Sequence, residues 1–202
     1  MTTLAELTTL RLGGPARELV QARDEATLLR ALDDDAIVIA QGSNLVVADD
    51  GVDARVVLVR TSGIAYEREG DEVLVTVAAG ETWDDVVAEC VEDGLAGIEA
   101  LSGIPGATGA TPIQNVGAYG QEVAQTIRAV RVWDRRHSRQ RILSPEECGF
   151  AYRDSALKRD PRRFAVLAVT FALRDGGLGA PVRYGELART LGIELGGRAP
   201  VA

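Results

Sequence analysis

Between Tyr152 and Lys158 the chain places a phenol, the guanidinium of Arg153, the carboxylate of Asp154, the hydroxyl of Ser155 and its only ammonium within seven residues. A guanidinium offers a rigid two-pronged fork for a carboxylate, or for charge that develops on one during a reaction. A surface ion pair is the commoner use of a lone arginine, and this segment by itself fits both. A second chemical stretch, Gln41-Gly42-Ser43-Asn44, follows directly on the β-branched run Ala36–Ala40. A strand entering a tight Gly-Ser-Asn turn can present successive main-chain N–H groups to an anion, with Ser43 and Asn44 as further donors. A plain turn has the same composition. The third stretch, residues 101–120 (LSGIPGATGATPIQNVGAYG), holds five glycines, two prolines and no charge in a chain that is 26% charged. Glycine lets main chain approach a ligand closely. Ile104, Ala107, Ile113 and Val116 can pack, while Gln114, Asn115 and Tyr119 supply polar tips. That mixture suits a largely buried loop lining a ligand, whose main chain must find hydrogen-bond partners. It equally suits a glycine-rich connection between two sheets.

Several chemistries are excluded by what the sequence lacks. No GxGxxG follows a strand and Lys158 follows no GxxxxG, so neither a Rossmann fingerprint nor a P-loop is present. His137 is the only histidine and lies in a polar turn, where it is expected to be solvated, which leaves no hydrolytic triad. Cys90 and Cys148 are too few for a disulfide framework and have no metal-binding spacing. They are expected as reduced core residues of a cytoplasmic protein. The net charge of −8 argues against a nucleic-acid footprint. The N-terminus has no basic segment leading into an apolar core, hence no visible signal peptide. The longest apolar run, Phe164–Leu173, is far shorter than the ~20 residues of a membrane helix, so a soluble protein is expected.

The elements that must position these stretches are legible from periodicity and punctuation. Arg17–Ala22 reads as a strand after the Gly13-Gly14-Pro15 turn. Asp24 can cap a helix reaching about Leu32. Ala36–Ala40 and Arg55–Arg60 are strands, with apolar character resuming at Leu45–Ala48 between them. This strand–helix–strand order predicts a small βαβ lobe. After residue 62, Glu69-Gly70-Asp71 is a hairpin-like turn before a strand at Glu72–Ala79. Thr82 with Asp85 three residues on predicts a capped helix to about Asp93, closed by Gly94 and buried along Val86, Val87, Cys90 and Val91. Ile127–Trp133 and Arg139–Leu143 read as strands about an Arg-Arg-His-Ser turn, and Ser144-Pro145 opens a helix. Phe164–Leu173 is a buried strand, and Tyr184–Leu191 begins a last helix. The division predicted is an α+β chain with lobes at 1–62 and 63–178 and a further segment at 179–202.

Four segments in this order, TTLRLGGPA (8–16), AQGSNLVVADDG (40–51), LSGIPGATGATPIQNVGAYGQEV (101–123) and CGFAYRDSALK (148–158), resemble the MurB family of flavoenzymes. These are the UDP-N-acetylenolpyruvoylglucosamine reductases of peptidoglycan synthesis, and the third and fourth segments are highly specific. The resemblance implies a two-lobed FAD-binding fold of the vanillyl-alcohol-oxidase type. It implies FAD as cofactor, NADPH as electron donor, and hydride delivery to the enolpyruvyl double bond of UDP-N-acetylenolpyruvoylglucosamine. Carried over by position, Gly42, Ser43, Asn44 and Leu45 would meet the FAD pyrophosphate. Ser102, Gly103, Pro105, Gly106, Gly109, Ala110, Gln114, Asn115, Gly117, Ala118 and Tyr119 would embrace the cofactor. Arg153 would be the catalytic arginine, sharing the substrate site with Tyr152 and Lys158. The family's third domain, with a proton-donating serine in a Ser-Ala-Gly-Ser-Phe-Phe-like segment and a late glutamate, has no counterpart here. Residues 179–202 resemble its entry, so the chain is expected to bind FAD yet turn over weakly or not at all. Another flavin oxidoreductase of the same fold and a non-catalytic flavin-binding module are the rival readings.

Overall fold

The computed structural model describes residues 3–33 and 35–201. Two sheets organise the chain. The first is built from β1 (Ala16–Ala22), β2 (Ile37–Ile39) and β3 (Val52–Val59), all parallel in the order β1-β3-β2. Helix α1 (Glu25–Ala31) forms the crossover, and Asp24 caps it by accepting from the Thr27 N–H at 2.7 Å. β3 is central and buried on both faces, as a parallel strand covered on two sides must be. Val57 and Val59 join the main core with Ala22 and Leu28, while Val56 and Leu58 pack with Leu4 and Ile39 on the opposite face. The N-terminal segment is therefore the second cover of this sheet.

The second sheet carries β4 (Ile64–Glu69), β5 (Glu72–Ala78), β6 (Leu95–Ala96), β9 (Ile127–Asp134), β10 (Arg139–Leu143) and β11 (Phe164–Asp175). Its order is β10-β9-β11-β5-β4, with β6 added to the end of β11. β11 lies antiparallel between β5 and β9, and Val166, Val169, Phe171 and Leu173 are all buried. Helix α2 (Trp83–Glu92) covers this core with Trp83, Val86, Val87 and Cys90. The Trp83 ring lies 5.5 Å from Phe171, and its indole N–H donates to the Leu101 carbonyl at 3.2 Å. Smaller elements complete the lobe: a two-residue hairpin of β7 (Gly117–Ala118) and β8 (Gln121–Glu122), and the short helices α3 (Pro145–Cys148) and α4 (Ala156–Arg159). Helix α5 (Gly185–Leu191) sits in a last segment held by Gly179 N–H to Ala199 O and Ala180 N–H to the Glu99 carboxylate.

Most expected elements are present, and the departures have local causes. β3 begins earlier than expected, at Val52, after the Asp50-Gly51 turn. α2 starts at Thr82 without the expected box: its side chain makes no cap bond, because the Thr82 hydroxyl instead accepts from the Gln41 amide at 2.9 Å. The helix start expected at Ser144-Pro145 does form, and Ser144 closes a capping box there, with Glu147 N–H to Ser144 Oγ at 3.3 Å and Ser144 N–H to the Glu147 carboxylate at 3.0 Å. α4 went unpredicted; its cap is Ser155. His137 is half-exposed and bonded to the buried Asp134 at 3.0 Å rather than merely solvated.

Candidate functional site

The glycine-rich stretch folds as a loop between the two sheets, and its centre is buried: Gly106 to Gly109 and Asn115 to Gly117 are closed to solvent. Facing it is the β2–β3 connection. A cavity of about 280 Å³ lies between them, lined by Gly42, Ser43, Asn44 and Leu45 on one side and Pro105, Gly106, Ala110 and Gln114 on the other. Lys158 joins the lining, and no carboxylate does among the described residues. In a chain with 30 Asp and Glu, a neutral cleft bearing one ammonium is suited to an anion. A second cavity of about 670 Å³ shares Val38, Ile39, Ala40, Ala110 and Ile113 with the first and runs on to Phe164, where Asp35 and Asp53 as well as Arg135 and Arg162 line it. The two are therefore one trough along the junction of the lobes.

The turn at the trough has the chemistry of an anion nest. Among the described residues, the main-chain N–H groups of Gly42, Ser43, Asn44 and Leu45 donate to no protein acceptor. Four consecutive orphan donors in a turn that lines a cleft are the arrangement that binds phosphate oxygens. Gly42 has φ of 62°, and a Cβ there would stand 2.2 Å from the Leu7 carbonyl oxygen. Its glycine is thus required by the N-terminal segment behind the turn, which also donates Thr9 N–H to Gly42 O at 3.1 Å. Gly106 has φ of 125°, and its missing Cβ would lie 3.0 Å from Ser43 Oγ, so this glycine lets the lobes approach. At the cleft the two walls are joined by Ser43 Oγ to Pro105 O at 3.3 Å, Asn44 Nδ2 to Gln114 Oε1 at 3.2 Å, and Gln41 Nε2 to Thr82 Oγ1 at 2.9 Å. The orphan donors, the neutral walls and the glycine-permitted approach together fit an elongated cofactor carrying a pyrophosphate.

Arg153 stands on a separate turn, closed by the bridge between Ala151 and Asp154. Its side chain is exposed, donates from Nη2 to the Gly117 carbonyl, and lies 6.0 Å from the Tyr152 ring. Lys158 Nζ donates to the Arg153 carbonyl at 2.8 Å. Arg153 has no carboxylate partner among the described residues. Its φ is 53°, and Asn115 and Tyr119 are also left-handed at 46° and 49°. Strained non-glycine residues of this kind cost ~1–3 kcal/mol each and gather at functional sites.

The cleft does not gather every residue singled out from sequence. Ser102 Oγ and Gly103 N–H both donate to Asp84, at 3.0 and 2.6 Å. Gly109 lines only the second cavity. Gly117 and Ala118 form β7, and Tyr119 is exposed beside Tyr184 at 6.0 Å. Tyr152 is 82% exposed. Trp83, Thr111 and Gln41 line the first cavity without having been singled out as contacts. Trp83 reads as helix core, and only the adjacency of Gln41 to the turn signalled it. No activated thiol is present: burial first, then nearby glutamates, push the Cys90 and Cys148 thiols up to about 12. Among the described residues no helix is long and apolar enough to cross a membrane.

Comparison with known proteins places this geometry among flavoproteins. The pattern of the FAD binding domain family matches residues 19–141. The chain is 52% identical over 206 residues to the UDP-N-acetylenolpyruvoylglucosamine reductase of Saccharopolyspora erythraea, covering 98% of this chain and 56% of that protein. It is 51% identical to the reductase of the same name from Thermobifida fusca, covering 98% and 58%. The chain thus spans a little over half the length of these curated relatives. The crystal structure of UDP-N-acetylenolpyruvylglucosamine reductase (MurB) from Thermus caldophilus superposes with a TM-score of 0.74 at 34% identity, covering 86% of this chain and 61% of that one. A solvent-stable cholesterol oxidase shares the fold alone, with a TM-score of 0.56 at 12% identity, covering 96% and 41%.

Proposed function

The chain belongs to the FAD binding domain family, and from that premise we propose that it holds FAD between its two lobes and serves the reduction of UDP-N-acetylenolpyruvoylglucosamine to UDP-N-acetylmuramate. The observation that carries the reading is the run of four orphan N–H donors at Gly42–Leu45 beside the first cavity, which no carboxylate lines. FAD, when bound, supplies the means of passing hydride from NADPH to the enolpyruvyl double bond. The residues of this chain do the rest. The Gly42–Leu45 turn binds the pyrophosphate through main-chain donors, while Pro105, Gly106, Ala110 and Gln114 close the opposite wall. Trp83, Ile104 and Val116 exclude water from that wall. Gly109 and Ala110 continue it toward the second cavity.

Arg153 contributes a fixed positive charge. Hydride addition to an enolpyruvyl carbon leaves enolate-like charge delocalised toward the carboxylate, and a preorganised guanidinium stabilises that charge where it develops. Lys158, with its ammonium beside the Arg153 main chain, and Tyr152 complete the substrate side. The relatives' names support the reduction; its place in cell-wall precursor synthesis, a cytoplasmic location and NADPH as donor belong to the same proposal. The test is an absorption spectrum of the purified chain followed by FAD titration and an NADPH oxidation assay with the enolpyruvyl substrate. A bound oxidised flavin is expected, and substrate-dependent NADPH oxidation is expected once the chain is carried at the full length of its curated relatives. A chain that is folded but takes up no flavin at micromolar concentrations overturns the reading.

A further inference from the structure

Two side chains beside Arg153 are spent entirely on protein. Asn115 is 1% exposed; its Nδ2 donates to the Glu122 carboxylate at 2.8 Å and to the Ala151 carbonyl at 3.1 Å, and its Oδ1 accepts from Ala124 N–H at 3.1 Å. An amide has two N–H donors, so neither is left for a ligand. Ser155 is fully buried; its hydroxyl donates to the Ile113 carbonyl at 2.6 Å and accepts from Lys158 N–H at 3.2 Å. These bonds staple residues 151 and 155 to residues 115 and 113, one on each side of Arg153.

We propose that Asn115 and Ser155 are positioning residues for Arg153, fixing its main chain against the 113–122 segment without touching cofactor or substrate. Arginine has no short side-chain amide with which to support a left-handed conformation locally. Its φ of 53° must therefore be imposed by neighbours. The imposed path runs from Glu122 through Asn115 to the Ala151 carbonyl, and from Ile113 through Ser155. Between these two anchors the guanidinium reaches the Gly117 carbonyl and the Arg153 carbonyl receives Lys158 Nζ. Each bond joins parts of the chain that are otherwise free to separate. The inference assigns Asn115 a task different from the cofactor contact expected of it by position, and it rests on the reading of Arg153 as the catalytic cation.

The test uses the FAD-loaded chain, extended to the full length of its curated relatives so that substrate turnover can be read, and two deletions: Asn115→Gly, which removes the amide while keeping the left-handed conformation without steric cost, and Ser155→Ala. Three quantities are measured: FAD affinity, amide hydrogen exchange across residues 150–158, and the rate at which UDP-N-acetylenolpyruvoylglucosamine reoxidises the reduced flavin. Both variants should keep parental FAD affinity and exchange faster at 151–154. Reoxidation should slow by about 10²-fold, the cost of a misplaced catalytic group. Adding Arg153→Met to either should cause little further loss, since the pair acts as one unit. Ser155→Thr, which retains a hydroxyl, should recover rate. A fall in FAD affinity for Asn115→Gly overturns the proposal in favour of a cofactor contact, and unchanged exchange in both variants overturns it directly. Parental reoxidation in the two deletions beside a slow Arg153→Met overturns positioning alone. Parental reoxidation in Arg153→Met itself refutes instead the role of the arginine.

Discussion

At the β9–β10 hairpin, Arg163, Arg141 and His137 converge on the Asp134 carboxylate at 3.1, 3.4 and 3.0 Å, and the Asp134 side chain has no solvent exposure. At the 151–158 turn, Arg153 ends on a carbonyl oxygen and remains exposed. Both arrangements orient arginine, but with opposite electrostatic results. Burial by itself would raise the Asp134 carboxyl, yet the hydrogen bonds from Arg163 and His137 outweigh it and hold that carboxyl well below the usual range. The cations there are neutralised and serve to tie the hairpin to residues 160–163. A carbonyl fixes direction without cancelling charge, so the positive field of Arg153 stays available to an anionic ligand. In a chain of net charge −8, a cation with no carboxylate partner among the described residues is informative about use.

The sharpest way to break this contrast is to exchange consequences. Asp134→Asn leaves the surrounding cations facing a buried neutral group, and breaking a buried pair costs ~3–5 kcal/mol. Urea denaturation should show that loss with flavin affinity per folded molecule intact. The sign with pH follows from the depressed carboxyl: its stabilisation is fully present above the ordinary value of 3.8 and is lost as pH falls through the folded value. The parent should therefore lose stability on acidification more steeply than Asp134→Asn. Arg153→Met should do the reverse, leaving stability nearly unchanged while slowing reoxidation of reduced flavin by ~10² or more, about 2.7 kcal/mol of barrier, in the chain extended to the full length of its curated relatives. Stopped-flow absorbance separates the two. If Arg153→Met unfolds the chain and Asp134→Asn does not, the assignment of structural and functional arginine is reversed.

The contrast also marks what sequence could deliver. Asp24 and Ser144 were legible as caps because their partners lie three residues away. β3 was legible because a strand buried on both faces must be continuously apolar. The cap at Thr82 was misjudged because its hydroxyl is claimed by Gln41, 41 residues distant. Likewise CGFAYRDSALK announces Arg153, but nothing local reveals that Asn115 holds the preceding carbonyl or that Asp84 occupies Ser102 and Gly103. Residues whose partners are near in sequence were readable; those whose partners lie far along the chain were not, since only packing brings them within reach.

A smaller effect probes the neutral cleft itself. Gly106→Val adds a side chain where even a Cβ stands 3.0 Å from Ser43 Oγ, on a main chain at φ of 125° that branched residues avoid. The variant should lose at least tenfold in FAD affinity, ~1.4 kcal/mol or more. Unaltered affinity by equilibrium titration would show that the wall at Gly106 lies outside the cofactor's reach.

The smallest effect should come from Lys158, the only lysine and the only charge lining the first cavity. Its ammonium is exposed and already donates to the Arg153 carbonyl at 2.8 Å, so its attraction for an anion is shared with solvent and with that bond. An exposed charge contact of this kind is worth ~0.2–1 kcal/mol and is screened by salt. Lys158→Gln preserves a donor for the carbonyl and removes the charge. FAD affinity should weaken only a few-fold at low ionic strength, and the difference from the parent should vanish near 1 M salt, where the screening length is about 3 Å. Arg153→Met should keep its defect in hydride transfer at that salt concentration, because a positioned guanidinium acts at contact distance. A Lys158 effect as large as that of Arg153 and equally indifferent to salt would mean that the ammonium, too, is held against the ligand. The ligand would then be held by two fixed cations rather than one.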